Sequence, residues 1–367
     1  MPIKFLDKLT IVIFSYNRHK YLKRTIRYWS NYNVKLLILD GSDSKLEDSC
    51  LDTKNIKYIY NPRGLYDRLL SSINYIETEF MILSGDDEFY LPSALSACIK
   101  FLMKESSYSC CGGLAIGFST YKQNIFGGSQ YPELKNLSLD YDSASERIKS
   151  HFYNYVPAHF YSVVRSSKWK LICKYTFEKE YNFFAVFELQ VEFLVMVSGK
   201  SKIISQLMWL RNQEVSSIEG DRYSKSAKIL ISEWWIDKNF KKEKEEFLNR
   251  MQKACDSLSI DQNFKFSENE ISKLFDIYIY KILNKRLIKK NFFYKVIELI
   301  SYKKISALIS YETKKMIKKF IGWNKISPYI RKSLVKEATQ LEAKGVFVNH
   351  KDLNQVILTL KHRNNED

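Results

Sequence analysis

Apolar residues in the first hundred positions come in short runs, each closed by a polar cluster. Leu9-Thr10-Ile11-Val12-Ile13-Phe14 is β-branched and apolar, the pattern of a strand buried on both faces of a parallel sheet, and it stops at Ser15-Tyr16-Asn17-Arg18. Tyr21, Leu22, Ile26 and Trp29 then recur at helical spacing with Lys and Arg between them. A second strand, Val34 to Leu39, ends in Asp40-Gly41-Ser42-Asp43, and a third, Ile56 to Tyr60, leads into Asn61-Pro62-Arg63-Gly64. Leu69, Leu70, Ile73 and Ile76 mark one face of a helix, and a fourth strand, Phe80 to Ser84, runs into Gly85-Asp86-Asp87-Glu88. Strands alternating with helices predict an α/β fold with a doubly wound parallel sheet. Ligands of such sheets bind beyond the carboxyl ends of the strands, which is where the three polar clusters fall, so they are expected to converge on one crevice.

Three of these segments carry a family resemblance. Thr10 to Arg18 resembles the opening strand of inverting family 2 glycosyltransferases of the GT-A fold, and Leu39-Asp40-Gly41-Ser42 resembles that family's second-strand aspartate and turn. Gly85-Asp86-Asp87-Glu88-Phe89-Tyr90-Leu91-Pro92 is similar to its metal-binding acidic motif with the downstream proline, although Gly85 stands where the family often has an acid. The likeness covers residues 9–95 and, more weakly, extends to about Arg211. It implies a GT-A-like (Rossmann-like) mixed sheet sandwiched by helices over residues 1–214, and a sugar moved from a nucleotide-sugar donor with inversion. A basic, mainly helical C-terminal module over residues 215–367 is expected to follow.

The candidate chemistry is assigned with that family in view. A diphosphate leaves with negative charge, which a divalent ion on carboxylates offsets as a Lewis acid. Asp86, Asp87 and Glu88 are the candidate ligands for Mg²⁺ or Mn²⁺, cations that favour oxygen donors; the bland alternative is a solvated turn before the helix that Pro92 begins. By resemblance Asp40 reads the uracil of a UDP-linked donor, with Ser15, Tyr16 and Asn17 holding the base and Asp86 at the diphosphate; Arg68, on the helix after Gly64, either approaches the diphosphate or is a solvated helix residue. Asp40 and Asn17 are also ordinary turn residues. Inversion needs a general base, which the resemblance places on a later helix. Glu188, interrupting the apolar stretch from Phe183 to Val197, is the candidate, and Glu192, one helical turn on, is the alternative. His159, among aromatics, is either a late metal ligand or a partly buried, hydrogen-bonded histidine.

Composition adds the second half. The chain has 367 residues, more than one typical domain, and 45% are apolar, which suits ordinary globular cores. Its six cysteines show no metal spacing and read as small buried thiols. The N-terminus lacks a secretory apolar run, and no stretch of roughly 18 apolar residues could span a bilayer. A cytoplasmic protein is therefore expected, either free or peripheral on the inner face of the membrane.

The formal charge of +17 is concentrated late: 16 Lys or Arg against two acids lie between Lys281 and Lys336. Lys314 to Trp323 alternates apolar and lysine positions, as do in-plane membrane helices and basic bundle helices alike. The expected partners are a UDP-sugar donor, a glycan or lipid-linked glycan acceptor and an anionic membrane surface. A sugar nucleotidyltransferase is the enzymatic rival, but Phe14 to Arg18 supplies no glycine-rich triphosphate loop. Nucleic acid is the rival partner, yet no recognition motif accompanies the basic charge.

Overall fold

The computed structural model describes residues 3–121, 124–183, 185–213, 230–259, 265–301 and 332–361. The side chains of 136 and 285–301 are not among the described groups, and Lys314 to Trp323 lies outside these residues altogether.

The apolar runs form the centre of a ten-stranded sheet. β1 (Leu9–Ser15) pairs in parallel with β2 (Lys35–Asp40) on one side and β4 (Phe80–Gly85) on the other, and β3 (Ile56–Tyr60) extends the parallel block beyond β2. These strands alternate between two cores. Leu9, Ile11 and Ile13 face one side and Val12 the other; Leu36 and Ile38 face the first side and Leu37 and Leu39 the second. Burial on both faces is the reason for their unbroken apolar character.

Beyond this block the sheet is not parallel throughout. Past β4, the short β9 (Val163–Arg165) runs antiparallel to both β4 and β6 (Tyr108–Tyr121). β6 pairs in parallel with β10 (Lys200–Asn212), and β5 (Phe89–Tyr90) closes antiparallel on β10. β7 (Asn124–Gln130) pairs with β6 and β8 (Ser138–Leu139) with β10. The sheet is thus mixed. Cys110 and Cys111 lie buried in β6, and all six cysteines are free thiols, five of them buried.

Helices cover both faces. One core takes residues of α1 (His19–Trp29), α3 (Pro92–Lys104), α10 (Leu334–Glu342) and α11 (His350–Lys361). The other takes residues of α2 (Leu65–Ser71), α4 (Ala144–Tyr153), α5 (Ser166–Phe177), α6 (Val186–Ser198), α7 (Ile231–Ile236), α8 (Lys241–Leu258) and α9 (Glu268–Ser301). Helices from the C-terminal third therefore enter both cores: Leu334, Leu353 and Val356 on one face, Trp234, Phe247 and Phe275 on the other. Asp352 also accepts the Ser93 N–H at 2.8 Å in the first turn of α3, where helix donors are open. Among the described residues no helix is long and apolar enough to cross a membrane.

Candidate active site

The polar clusters after β1, β2 and β4 meet at one end of the sheet. Ser15 Oγ donates to Asp86 Oδ2 at 2.7 Å. Asn17 adopts φ 54°, a left-handed conformation that asparagine tolerates, and from there knits the first cluster to the second. Its backbone N–H donates to Ser42 Oγ at 2.8 Å, its Nδ2 donates to Asp43 Oδ2 at 2.8 Å, and its Oδ1 accepts the Asp43 N–H at 2.9 Å. Tyr16, half-buried, reaches Asp43 through its hydroxyl at 3.4 Å.

Asp40 is fully buried and ringed by donors. Ser42 gives its N–H at 2.9 Å and its hydroxyl at 2.5 Å to Oδ1; Tyr58 gives its hydroxyl to Oδ2 at 2.6 Å, and His19 Nε2 lies 2.9 Å from the same oxygen. His19 and Tyr58 carry no motif signal, so sequence reasoning missed both. His19 keeps 26% of its side chain exposed, so this partner of Asp40 is open to solvent. Arg68, expected near a diphosphate, is instead wholly buried beneath Gly41 and donates to the carbonyls of Ser15 (2.7 Å) and Leu39 (3.0 Å). A Cβ at position 41 would stand 2.5 Å from its Cζ, which explains the glycine.

The acidic motif is buried rather than a solvated turn. Each of its carboxylates meets a guanidinium. Arg18 lies 3.4 Å from Asp86 Oδ1 and hydrogen-bonds Asp87 Oδ2, which also accepts from Asn212 Nδ2 at 3.1 Å. Glu88 accepts from Trp209 Nε1 at 3.2 Å and faces Arg211 at 3.9 Å. Arg24 lies 3.4 Å from the Asp87 carbonyl. Burial pushes Asp86 up to about 7, with the Arg18 charge opposing and Asp87 adding repulsion. Burial and Asp87 likewise push Glu88 up to about 8. The three carboxylates point to different partners, but Asp86 and Asp87 share Arg18, so two buried oxygen donors face one cation. That donor set fits Mg²⁺ or Mn²⁺, since Mg²⁺ commonly uses one or two carboxylates with substrate phosphates.

A wall of rings adjoins Glu88. Trp209 stacks on Tyr161 (centroids 4.1 Å apart, planes at 22°) and on Tyr131 (5.8 Å, 20°), with the Arg211 guanidinium over all three. Burial pushes the Tyr161 phenol well up, with the Glu88 and Glu188 carboxylates both contributing, so the ring lies between the two acidic regions.

The second region is α6, an almost wholly apolar and buried helix. Glu192 is fully buried. Its Oε1 accepts the backbone N–H groups of His159 and Phe160, both at 2.9 Å, and its Oε2 lies 2.8 Å from His151 Nε2 and 2.5 Å from His159 Nδ1. Burial alone would raise Glu192, but the two histidines draw it down to about 2. His159 Nε2 meets Ser201 Oγ at 2.7 Å. His159 is thus a buried, hydrogen-bonded histidine on Glu192, and no described hydrogen bond or ion pair joins it to Asp86, Asp87 or Glu88. The ligand atoms of His151, His159 and Glu192 lie within 4.8 Å of one another, but two of the three contacts are hydrogen-bond distances to one shared oxygen. Glu188, one turn earlier and half-buried, accepts the Tyr155 hydroxyl at 2.8 Å and, among the described residues, no other side chain. Burial raises it to about 7, with Tyr155 opposing and Glu192 adding repulsion.

A mixed α/β sheet with its polar groups gathered at the carboxyl ends of the parallel strands is the arrangement in which α/β domains bind ligands. Residues 10–152 match the model of Glycosyl transferase family 2, so this segment is similar to that family, and the mixed sheet sandwiched by helices is the GT-A-like arrangement. Similar solved structures include Staphylococcus aureus TarS 1-349, at 10% identity and TM-score 0.42, covering 74% of this chain and 89% of that one. The same fragment in complex with UDP-GlcNAc is 11% identical with TM-score 0.42 and the same coverage. The longer S. aureus TarS structure, at 10% identity and TM-score 0.42, is matched over 74% of this chain and 54% of that one. No curated protein sequence matches this chain.

Proposed function

We propose that the chain is an inverting, metal-assisted glycosyltransferase moving a sugar from a UDP-linked donor to a hydroxyl of a glycan or lipid-linked glycan. The observation that carries this reading is the hydrogen-bonded joining of three strand ends through Ser15–Asp86, Asn17–Ser42 and Asn17–Asp43. It brings residues suited to a nucleobase next to residues suited to a charged diphosphate.

In this reading Asp40 and Tyr16 hold the uracil side, with Ser15 and Asn17 shaping the turn. Asp40 accepts a base N–H as His19, a partner open to solvent, turns aside. Arg68 acts from below, holding the ends of β1 and β2 at fixed height. Asp86 and Asp87 hold the divalent cation, with Glu88 at its margin against Trp209 and Arg211. When bound, Mg²⁺ or Mn²⁺ would offset the charge that develops on the leaving diphosphate. Glu188 takes the acceptor hydroxyl proton, a role suited by a pKa raised to about 7, so that it is ionised at neutral pH yet basic enough to accept a proton. Residues 1–214 carry these groups, and the described helices of the 215–367 module back them from both faces of the sheet. The basic stretch between Lys281 and Lys336 faces an anionic membrane in this reading, at the inner surface where a lipid-linked acceptor is presented.

A donor panel read by released nucleotide, with Mn²⁺ and then with EDTA, tests the reaction class. Turnover of a UDP-sugar that needs metal and acceptor is expected. Turnover unchanged in EDTA removes the metal, and absence of turnover with every nucleotide sugar across a glycan acceptor panel removes the reaction itself.

A further inference from the structure

We infer that Arg18 is an exchangeable cation of the acidic motif: it holds Asp86 and Asp87 in the donor-free protein and yields them to a divalent ion that enters together with a diphosphate. The inference rests on the donor-site reading above. Its basis is the placement of one guanidinium across two carboxylates that a metal would also need. Only 12% of the Arg18 side chain is exposed, and its guanidinium lies 4.7 Å from the Tyr21 ring, so this is a held position rather than a solvated one. Ser15 takes the other oxygen of Asp86, whereas Asn212 shares Asp87 Oδ2 with Arg18. Asp86 Oδ1 and Asp87 Oδ2 are the oxygens that Arg18 holds and that an entering cation would take from it.

Charge explains why exchange is coupled to the donor. Arg18 faces Asp86 and Asp87, Arg211 faces Glu88, and Arg24 reaches the Asp87 carbonyl, so the acids of the strand end already have cations beside them. A divalent ion arriving alone would displace Arg18 and leave it beside added positive charge. A diphosphate arriving alone would meet two carboxylates already taken. The ion and a nucleotide-sugar diphosphate carry equal and opposite charge, so together they preserve the balance. The displaced guanidinium then has phosphate oxygens to pair with, which suit its planar fork. Metal and nucleotide consequently strengthen each other's binding, and linkage makes the effect reciprocal.

The test is Mn²⁺ titration of the full chain, followed by the electron paramagnetic resonance signal of free Mn²⁺, with and without UDP. Wild type should bind Mn²⁺ weakly alone and at least about 10-fold tighter with UDP, within the usual range of coupling. Arg18→Gln should bind Mn²⁺ alone at least about 10-fold tighter than wild type, with the UDP enhancement shrinking to match. Adding Asp86→Asn to Arg18→Gln should abolish that gain, which assigns it to the motif. Arg18→Lys keeps the charge and should behave as wild type, guarding against a folding artefact in the glutamine variant. If Arg18→Gln gains nothing while wild type still binds Mn²⁺ with UDP, the exchange is wrong and the donor site stands. If wild type binds no Mn²⁺ even with UDP, the metal site falls and the exchange falls with it.

Discussion

Two regions of the molecule gather carboxylates, and they balance them differently. At the end of β4, Asp86, Asp87 and Glu88 are matched by arginines, so the charge there can be exchanged for that of a ligand without rebuilding the fold. On α6, Glu192 is locked by two imidazoles and two backbone N–H groups, whereas Glu188 has a single phenol and, among the described residues, no cation. One helical turn separates a carboxylate drawn down to about 2 from one raised to about 7. The residue type is the same in both places. The number of donors aimed at each oxygen decides which is a fixed charge and which a proton acceptor.

The largest expected effect follows from that difference. Glu188→Gln should keep the fold and nucleotide affinity but lower kcat by about 10²–10⁴-fold, the usual range for a lost general base. Near-normal turnover in this variant would move the base elsewhere. Glu192→Gln should do the opposite, costing stability rather than chemistry. An amide nitrogen in place of Oε2 would face the His151 and His159 donors, and His151 Nδ1 is buried with no hydrogen bond among the described residues, so a tautomer change there finds no partner among them. A loss of about 2–3 kcal/mol is expected, read from denaturant unfolding, with kcat per folded molecule changed far less. Because folding depresses Glu192 below its ordinary value, its contribution is present above the unfolded pKa and is lost as pH falls towards about 2. The glutamine variant should lack that acid-side dependence. A stable Glu192→Gln protein with abolished turnover would reverse the two assignments.

A finer test uses pH. Glu188 works as a base only when ionised, so kcat/KM should rise with pH through a limb near 7. The Tyr155 hydroxyl holds that pKa down, so Tyr155→Phe should move the limb to higher pH, by less than the burial effect that raises it. A limb that stays in place or moves down would separate Tyr155 from the base.

Much of the strand-end site was legible in the sequence because its parts are local. Each polar cluster directly follows an apolar run, and the runs are long enough to fix where the strands end, as at Ser15, Asp40 and Gly85. The partners of those clusters were not legible. Trp209, Arg211 and Asn212 reach Glu88 and Asp87 only through the β5–β10 pairing, more than a hundred residues on, and no local pattern announces it. Arg18 stood inside the first motif, but its pairing with two acids depends on β1 and β4 being neighbours. The C-terminal helices were harder for another reason. Their lysines dominate the texture of the sequence, while the stripe that enters the core, Leu353, Val356 and Leu360 on α11, is only three residues wide.

Titration of UDP into the full chain with Mn²⁺ present, repeated on Asp86→Asn, is the most direct test of a nucleotide-diphosphate site at the β4 end. Wild type should saturate, and the variant should bind at least about 10-fold more weakly, the lower end of what removing one electrostatic or hydrogen-bonding contact to a charged ligand costs. Equal affinity in the two proteins, or no UDP binding by wild type, would contradict a donor site built on Asp86.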